Sequence, residues 1–228
     1  MNPELVFLYL LAIIGVHGYN QQTKILQKVL KNSDPRARPV ANDLDAINVS
    51  LAVYARDLYE PTGHDNVYRL RIILSQSWTD EFIAWDPRMF GNVERIRVNP
   101  SVIWTPDITS FSGKLEPLDT YTEKAIINYD GKVRLYVHRL VALPCKVEAR
   151  TTGGQRVRCS ATFGSWVYPQ QELNLQILEE DIALTRSAIG SKWQLTGYNA
   201  TKLLFQYPHE TSPFPKIRVS VEYTADGN

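Results

Sequence analysis

The chain has 228 residues, 44% of them hydrophobic and 21% charged, with a formal net charge of +1. That length suits a single domain with a sizeable core. The near-neutral balance, with no basic stripe interleaved with aromatics, speaks against polyanions and nucleic acids as partners.

Residues 1–18 read as a secretory signal peptide. Leu5 to Gly15 is a short apolar run, and Val16-His17-Gly18 puts a small residue before Tyr19, as signal peptidase requires. The run is too short for a bilayer crossing of about 20 residues, and no later stretch is apolar enough to span one. Residues 19–228 are then one domain, secreted and extracellular, in a compartment where disulfides persist.

Gln21 to Lys31 places Ile25, Leu26, Val29 and Leu30 at helical spacing, ahead of the Asp34-Pro35 break. It predicts one amphipathic helix. The pattern then turns to strands over Ile47–Leu58, Val67–Trp78, Lys132–Leu143, Leu173–Leu178 and Ile217–Tyr223, punctuated by Pro61-Thr62-Gly63, Asp86-Pro87 and Asp130-Gly131. Short strands without alternating helices predict an all-β fold, an antiparallel sandwich of two packed sheets carrying the helix at its amino-terminal end.

Strand residues two apart share a face, so Arg134, Tyr136 and His138 project together while Val133, Leu135 and Val137 enter the core. The polar stripe is either solvated or an interface, and Tyr and Arg are favoured at contact centres. Asn48-Val49-Ser50 and Asn199-Ala200-Thr201 are glycosylation sequons, with Asn199 the better acceptor because Asn48 falls within a strand.

Cys145 and Cys159 are the only cysteines, and the Thr152-Gly153-Gly154 turn between them lets the chain double back so that their sulfurs can meet. A closed loop of about 15 residues is worth roughly 3 kcal/mol through the unfolded state. Two buried free thiols are the alternative; the secretory start favours the disulfide.

Nothing marks an enzyme. His17, His64, His138 and His209 have no metal-ligand spacing to one another or to a cysteine, and oxidised cysteines are not nucleophiles. Glu179-Glu180-Asp181 reads as a solvated acidic turn ahead of a Ca²⁺ site. No cofactor and no metal are expected.

Three patterns remain in order: Trp78-Thr79-Asp80 with Trp85-Asp86-Pro87; then Trp104-Thr105-Pro106-Asp107; then the cysteine loop followed by Phe163-Gly164-Ser165-Trp166. Together they resemble the extracellular ligand-binding domain of the Cys-loop receptors, and in particular the soluble acetylcholine-binding proteins, over about Tyr19 to Tyr223. The resemblance implies a ten-stranded sandwich assembled as a homopentamer, with ligand sites between neighbours. On the principal face it assigns Phe111 from the first loop, Trp166 and Val167 from the second, and Tyr207 and Phe214 from the third. On the complementary face the positions are Ile73, Ser75, Arg134 and Tyr136. Aromatic faces around a small cavity bind an amine cation by cation–π attraction, each desolvated contact being worth up to about 2 kcal/mol.

Trp78, Trp85, Trp104 and Trp193 are expected in the core, and Asp107 and Ser165 as hydrogen-bonding ties between the first two loops. Several departures bear on the ligand. His209 and Glu210 stand where nicotinic alpha-type subunits carry adjacent cysteines, Phe111 and Phe214 lack the hydroxyls of the usual tyrosines, and Ile73 replaces a tryptophan. Arg134 would repel a nearby cation or pair with a ligand carboxylate.

The cysteine loop, with Lys146, Glu148, Arg150, Gln155, Arg156 and Arg158 and no proline, is suited to water, whereas receptors dock an apolar loop on membrane helices. With the chain stopping at Asn228, the expectation is a secreted protein that binds acetylcholine- or nicotine-like amines, buffers transmitter, and traps ligand by closing the Tyr207–Phe214 hairpin. The alternative is the extracellular domain of a pentameric ligand-gated channel, for a different amine or an amino-acid transmitter.

Overall fold

The computed structural model describes residues 20–62, 67–118, 122–151, 154–178 and 192–225. The signal segment, His64, Thr152, Gly153 and Glu179-Glu180-Asp181 lie outside the described residues. Helix α1 (Gln21–Asn32) starts where the Asn20 side chain accepts the Gln22 N–H at 3.1 Å, satisfying a donor that the first turn leaves open. Ile25 and Val29, four apart, are its buried residues, while Leu30 remains 46% exposed. The helix therefore rests on a narrower stripe than its four apolar positions suggest.

The strands are β1 (Ile47–Tyr59), β2 (Val67–Thr79), β3 (Arg95–Val98), β4 (Ile108–Ser110), β5 (Leu115–Pro117), β6 (Ala125–Asn128), β7 (Lys132–Pro144), β8 (Lys146–Thr151), β9 (Gly154–Ser165), β10 (Leu173–Ile177), β11 (Trp193–Phe205) and β12 (Phe214–Ala225). These are twelve strand segments among the described residues where the resemblance implies ten, and β4 and β5 contribute only three residues each. One sheet runs β10-β1-β2-β7-β6-β3 with β5 also on β7; the other runs β11-β12-β9-β4 with β8 also on β9. Pairing is antiparallel except for β1 with β10, which run parallel.

The sheets close on each other through alternate residues. Val53, Ala55, Leu70 and Ile72 of the first meet Cys159, Ala161, Phe163, Val219 and Val221 of the second. Trp78, Trp85, Trp104 and Trp193 are all at least nine-tenths buried, as expected. Trp78 meets Trp104 edge-on at 5.9 Å, and the Trp85 indole donates to the Val93 carbonyl at 2.7 Å. Cys145 and Cys159 form the disulfide, tying the end of β7 to the middle of β9.

Glu148, Arg156 and Arg158 of the hairpin closed by that disulfide are engaged in ion pairs. Arg158 lies 2.8 Å from Glu148 and 2.7 Å from Glu222; Arg156 lies 3.6 Å and 3.1 Å from the same two carboxylates. Each pair is half-exposed and individually weak.

Asp80, in the first tryptophan motif, is 1% exposed and accepts the Phe82 N–H at 3.0 Å. Burial pushes its carboxyl up from 3.8 to about 6, Glu81 adds to the rise, and that hydrogen bond only partly opposes it. Because the folded value exceeds the unfolded one, this group's contribution to stability is full below about pH 4 and is lost as pH rises through 6. Asp80→Asn is therefore expected to gain up to about 3 kcal/mol over the wild type at pH 8, with the gap closing toward pH 4. Denaturant unfolding at the two pH values checks this; a gap that does not change with pH rules it out.

Candidate ligand-binding site

The principal-face residues gather at one end of the second sheet. β4 pairs with the end of β9, Ile108 opposite Ser165 and Ser110 opposite Phe163, and the Phe111 N–H continues the ladder to the Thr162 carbonyl at 2.8 Å. Phe111 is thereby held beside the turn that begins at Trp166. One Asp107 carboxylate oxygen accepts the N–H groups of both Trp166 (2.8 Å) and Val167 (3.0 Å), so a single side chain joins the two loops. Ser165 acts within its own turn instead, accepting the Tyr168 N–H at 2.8 Å.

With its backbone fixed, the Trp166 side chain stands 69% exposed, and Val167 beside it 57%. The indole stacks on Phe111 with centroids 5.8 Å apart and planes 22° apart. An exposed indole whose backbone is held by a carboxylate is unusual for a fold that buries every other tryptophan, all of which lie in the core.

The third loop is the turn between β11 and β12, where Phe205 pairs with Phe214. Tyr207 packs edge-on against Phe205 at 4.7 Å and Phe214 at 5.1 Å. Phe214 is 6% exposed, so it backs the cluster and does not face solvent. Pro215 is paired with Leu204 inside the sheet.

A residue that sequence reasoning missed stands in the middle of these rings. The Lys216 ammonium lies 3.6 Å from the Phe111 centroid, 4.3 Å from Phe205 and 5.0 Å from Tyr207, and it donates to the Tyr207 hydroxyl at 2.9 Å. Phe205 was likewise not singled out.

The complementary-face residues lie on the first sheet. Ile73 and Ser75 on β2 are in register with His138 and Tyr136 on β7, and Ser77 with Arg134. Val133, Leu135 and Val137 are buried and Arg134, Tyr136 and His138 only partly so, which matches the expected division of faces. Arg134 reaches the Tyr136 hydroxyl at 3.4 Å. Burial lowers the His138 pKa from its ordinary value, with Glu123 opposing. Ser75 is buried at 0% exposure, between its register neighbours Ala52 and Tyr136.

Asn199 is exposed on β11, its amide 3.4 Å from the Thr201 hydroxyl of its own sequon. Asn48 is exposed too, but its side-chain oxygen accepts from Asn174 at 2.9 Å across the β1–β10 pair. A cleft of about 550 Å³ elsewhere on the second sheet is lined by Lys146, Arg158, Tyr198, Asn199 and Glu222 among others, without an aromatic box.

Residues 22–224 match the family model described as the neurotransmitter-gated ion-channel ligand binding domain. The chain is 25% identical over 219 residues to the neuronal acetylcholine receptor subunit alpha-10 of Rattus norvegicus, covering 94% of this chain and 49% of the relative. It is 26% identical over 183 residues to the acetylcholine receptor subunit gamma of the same species, covering 79% and 35%. Against the acetylcholine receptor subunit alpha-like 2 of Drosophila melanogaster it is 26% identical over 228 residues, covering 95% and 40%. The chain thus spans half or less of the length of these relatives. Among the described residues, no helix is long and apolar enough to cross a membrane.

Proposed function

The chain belongs to the neurotransmitter-gated ion-channel ligand-binding domain family, and from that premise we propose that it is a secreted, non-catalytic homopentamer that binds a small amine between neighbouring subunits and buffers it outside the cell. The amine is of the acetylcholine or nicotine kind in its charged head. Trp166, Val167, Phe111 and Tyr207 of one subunit provide the principal wall, backed by Phe214. Ile73, Arg134 and Tyr136 of the next provide the complementary wall, with Ser75 supporting them from beneath. The 1–18 segment directs export, and Asn199 is the favoured glycan acceptor.

The observation that carries this reading is the ring cluster around Lys216: these aromatic faces already surround a positive charge. Ring faces of this kind stabilise ammonium charge, and the exposed Trp166 indole beside them offers one more. The soluble form is supported by the cysteine hairpin, whose Glu148, Arg156 and Arg158 are engaged in ion pairs.

A second reading, the extracellular part of a ligand-gated channel, is favoured by the greater length of the receptor subunits matched. The reading frame of the transcript separates the two: apolar segments beyond Asn228 decide for the channel.

Assembly is tested directly. Light scattering on the exported protein is expected to give about five times the monomer mass, and dissociation into monomers is expected to abolish amine binding. A monomer that binds with full affinity would end the interface reading.

A further inference from the structure

Lys216 is 6% exposed, which is rare for a lysine without a carboxylate partner. Its place follows from the β12 register: it sits opposite Gly164 on β9 and Leu203 on β11. A Cβ on Gly164 would come within 3.0 Å of the Lys216 Cγ and 2.9 Å of the Pro215 carbonyl, so only glycine there leaves the lysine stem its path. Along that path the ammonium arrives among Phe111, Phe205 and Tyr207. Among the described residues no carboxylate lies within ion-pair reach of it. Of its three N–H donors, one is met by the Tyr207 hydroxyl, and the ring faces supply the remaining stabilisation.

We propose that Lys216 is a tethered guest of the aromatic cage and the residue that sets ligand class: it bars a plain monocation from the cage and selects amines that also carry a carboxylate. The inference rests on the amine-binding reading above and narrows it. A second cation brought beside the ammonium meets like charge in a poorly hydrated site, where such repulsion is strongest. A carboxylate brought to the same place receives charge-assisted hydrogen bonds from donors that face only rings. The ligand's own ammonium is left the exposed indole of Trp166.

Choline and betaine make a matched pair of probes, since both carry a trimethylammonium head and they differ in ending as an alcohol or a carboxylate. Calorimetric titration of the wild-type assembly is expected to show betaine bound at least tenfold more tightly than choline. In Lys216→Met, which keeps the stem and removes the charge, choline should gain at least tenfold and betaine should weaken, reversing the order. Lys216→Gln, which keeps a polar end for Tyr207, replaces the Met variant should that one fail to assemble. If choline binds the wild type as tightly as it binds either variant, while Trp166→Ala abolishes that binding, the tethered-guest role is overturned and the amine site stands. If neither probe binds any of these proteins, the amine reading and this inference fail together.

Discussion

Trp166→Ala is expected to weaken binding of a trimethylammonium ligand at least tenfold while leaving the fold nearly untouched. The two halves of this expectation have one cause. The indole is 69% exposed, so truncating it opens no cavity, and a surface substitution of that kind shifts stability by about 0.5 kcal/mol or less. Its open face, however, is the aromatic surface that the proposed principal wall would present to a ligand. A desolvated cation–π contact of up to about 2 kcal/mol corresponds to roughly thirtyfold in affinity. Trp104, 3% exposed, supplies the contrast: its truncation should cost about 3–5 kcal/mol of stability through an unfilled cavity. Titration calorimetry and denaturant unfolding on both variants separate the roles, and unchanged ligand affinity in Trp166→Ala removes the indole from the site.

Gly113→Ala should be the most damaging single methyl in the principal wall. A Cβ there would lie 1.9 Å from the Ala142 carbonyl oxygen and 3.0 Å from its carbon, well inside van der Waals contact. Neither side can yield cheaply. Ala142 is in register with Arg69 on β2, inside the sheet with the longest shared ladder, and Gly113 is held by its own N–H to the Ser110 hydroxyl at 3.3 Å. The strain must therefore move the segment that carries Phe111. A loss of about 3 kcal/mol is expected, at the upper end of overpacking costs, together with a displaced Phe111 ring and weakened stacking on Trp166. A stability change under about 1 kcal/mol in denaturant unfolding would show that the loop approaches β7 less closely than described.

The parts of the fold that were legible in the sequence are those whose residues repeat with a core behind them. β1, β2 and β7 alternate over much of their lengths, each lying inside the first sheet, and their ends fall within a residue of the expected ones. β11 was missed because it lies at the rim of the second sheet, where most of its side chains are exposed, and because Gly197 and Asn199 are poor strand formers. β9 does carry the signal, in Val157, Cys159, Ala161 and Phe163, all buried; its arginines, serine and glycine diluted it. The family motifs located Trp166, Phe111 and Tyr207, and ring contacts place them in one neighbourhood with Phe214 and Phe205. Lys216 escaped for a specific reason. Pro213 and Pro215 hid the first residues of β12, so the strand was expected to start at Ile217 and Lys216 fell into a loop with no assigned direction. Once the strand begins at Phe214, period-two alternation puts Lys216 on the side of Phe214.

The parallel ladder between β1 and β10 sets an order of events for the newborn polypeptide. Ile47 to Leu51 meet Leu173 to Ile177, which leave the ribosome only after β2 to β9 have been synthesised. Until then the outer margin of β1 displays unpaired N–H and C=O groups, a template on which another copy can add itself. Renaturation should accordingly be slow, on the milliseconds-to-seconds scale of distant strand pairings, and its yield should fall with rising protein concentration.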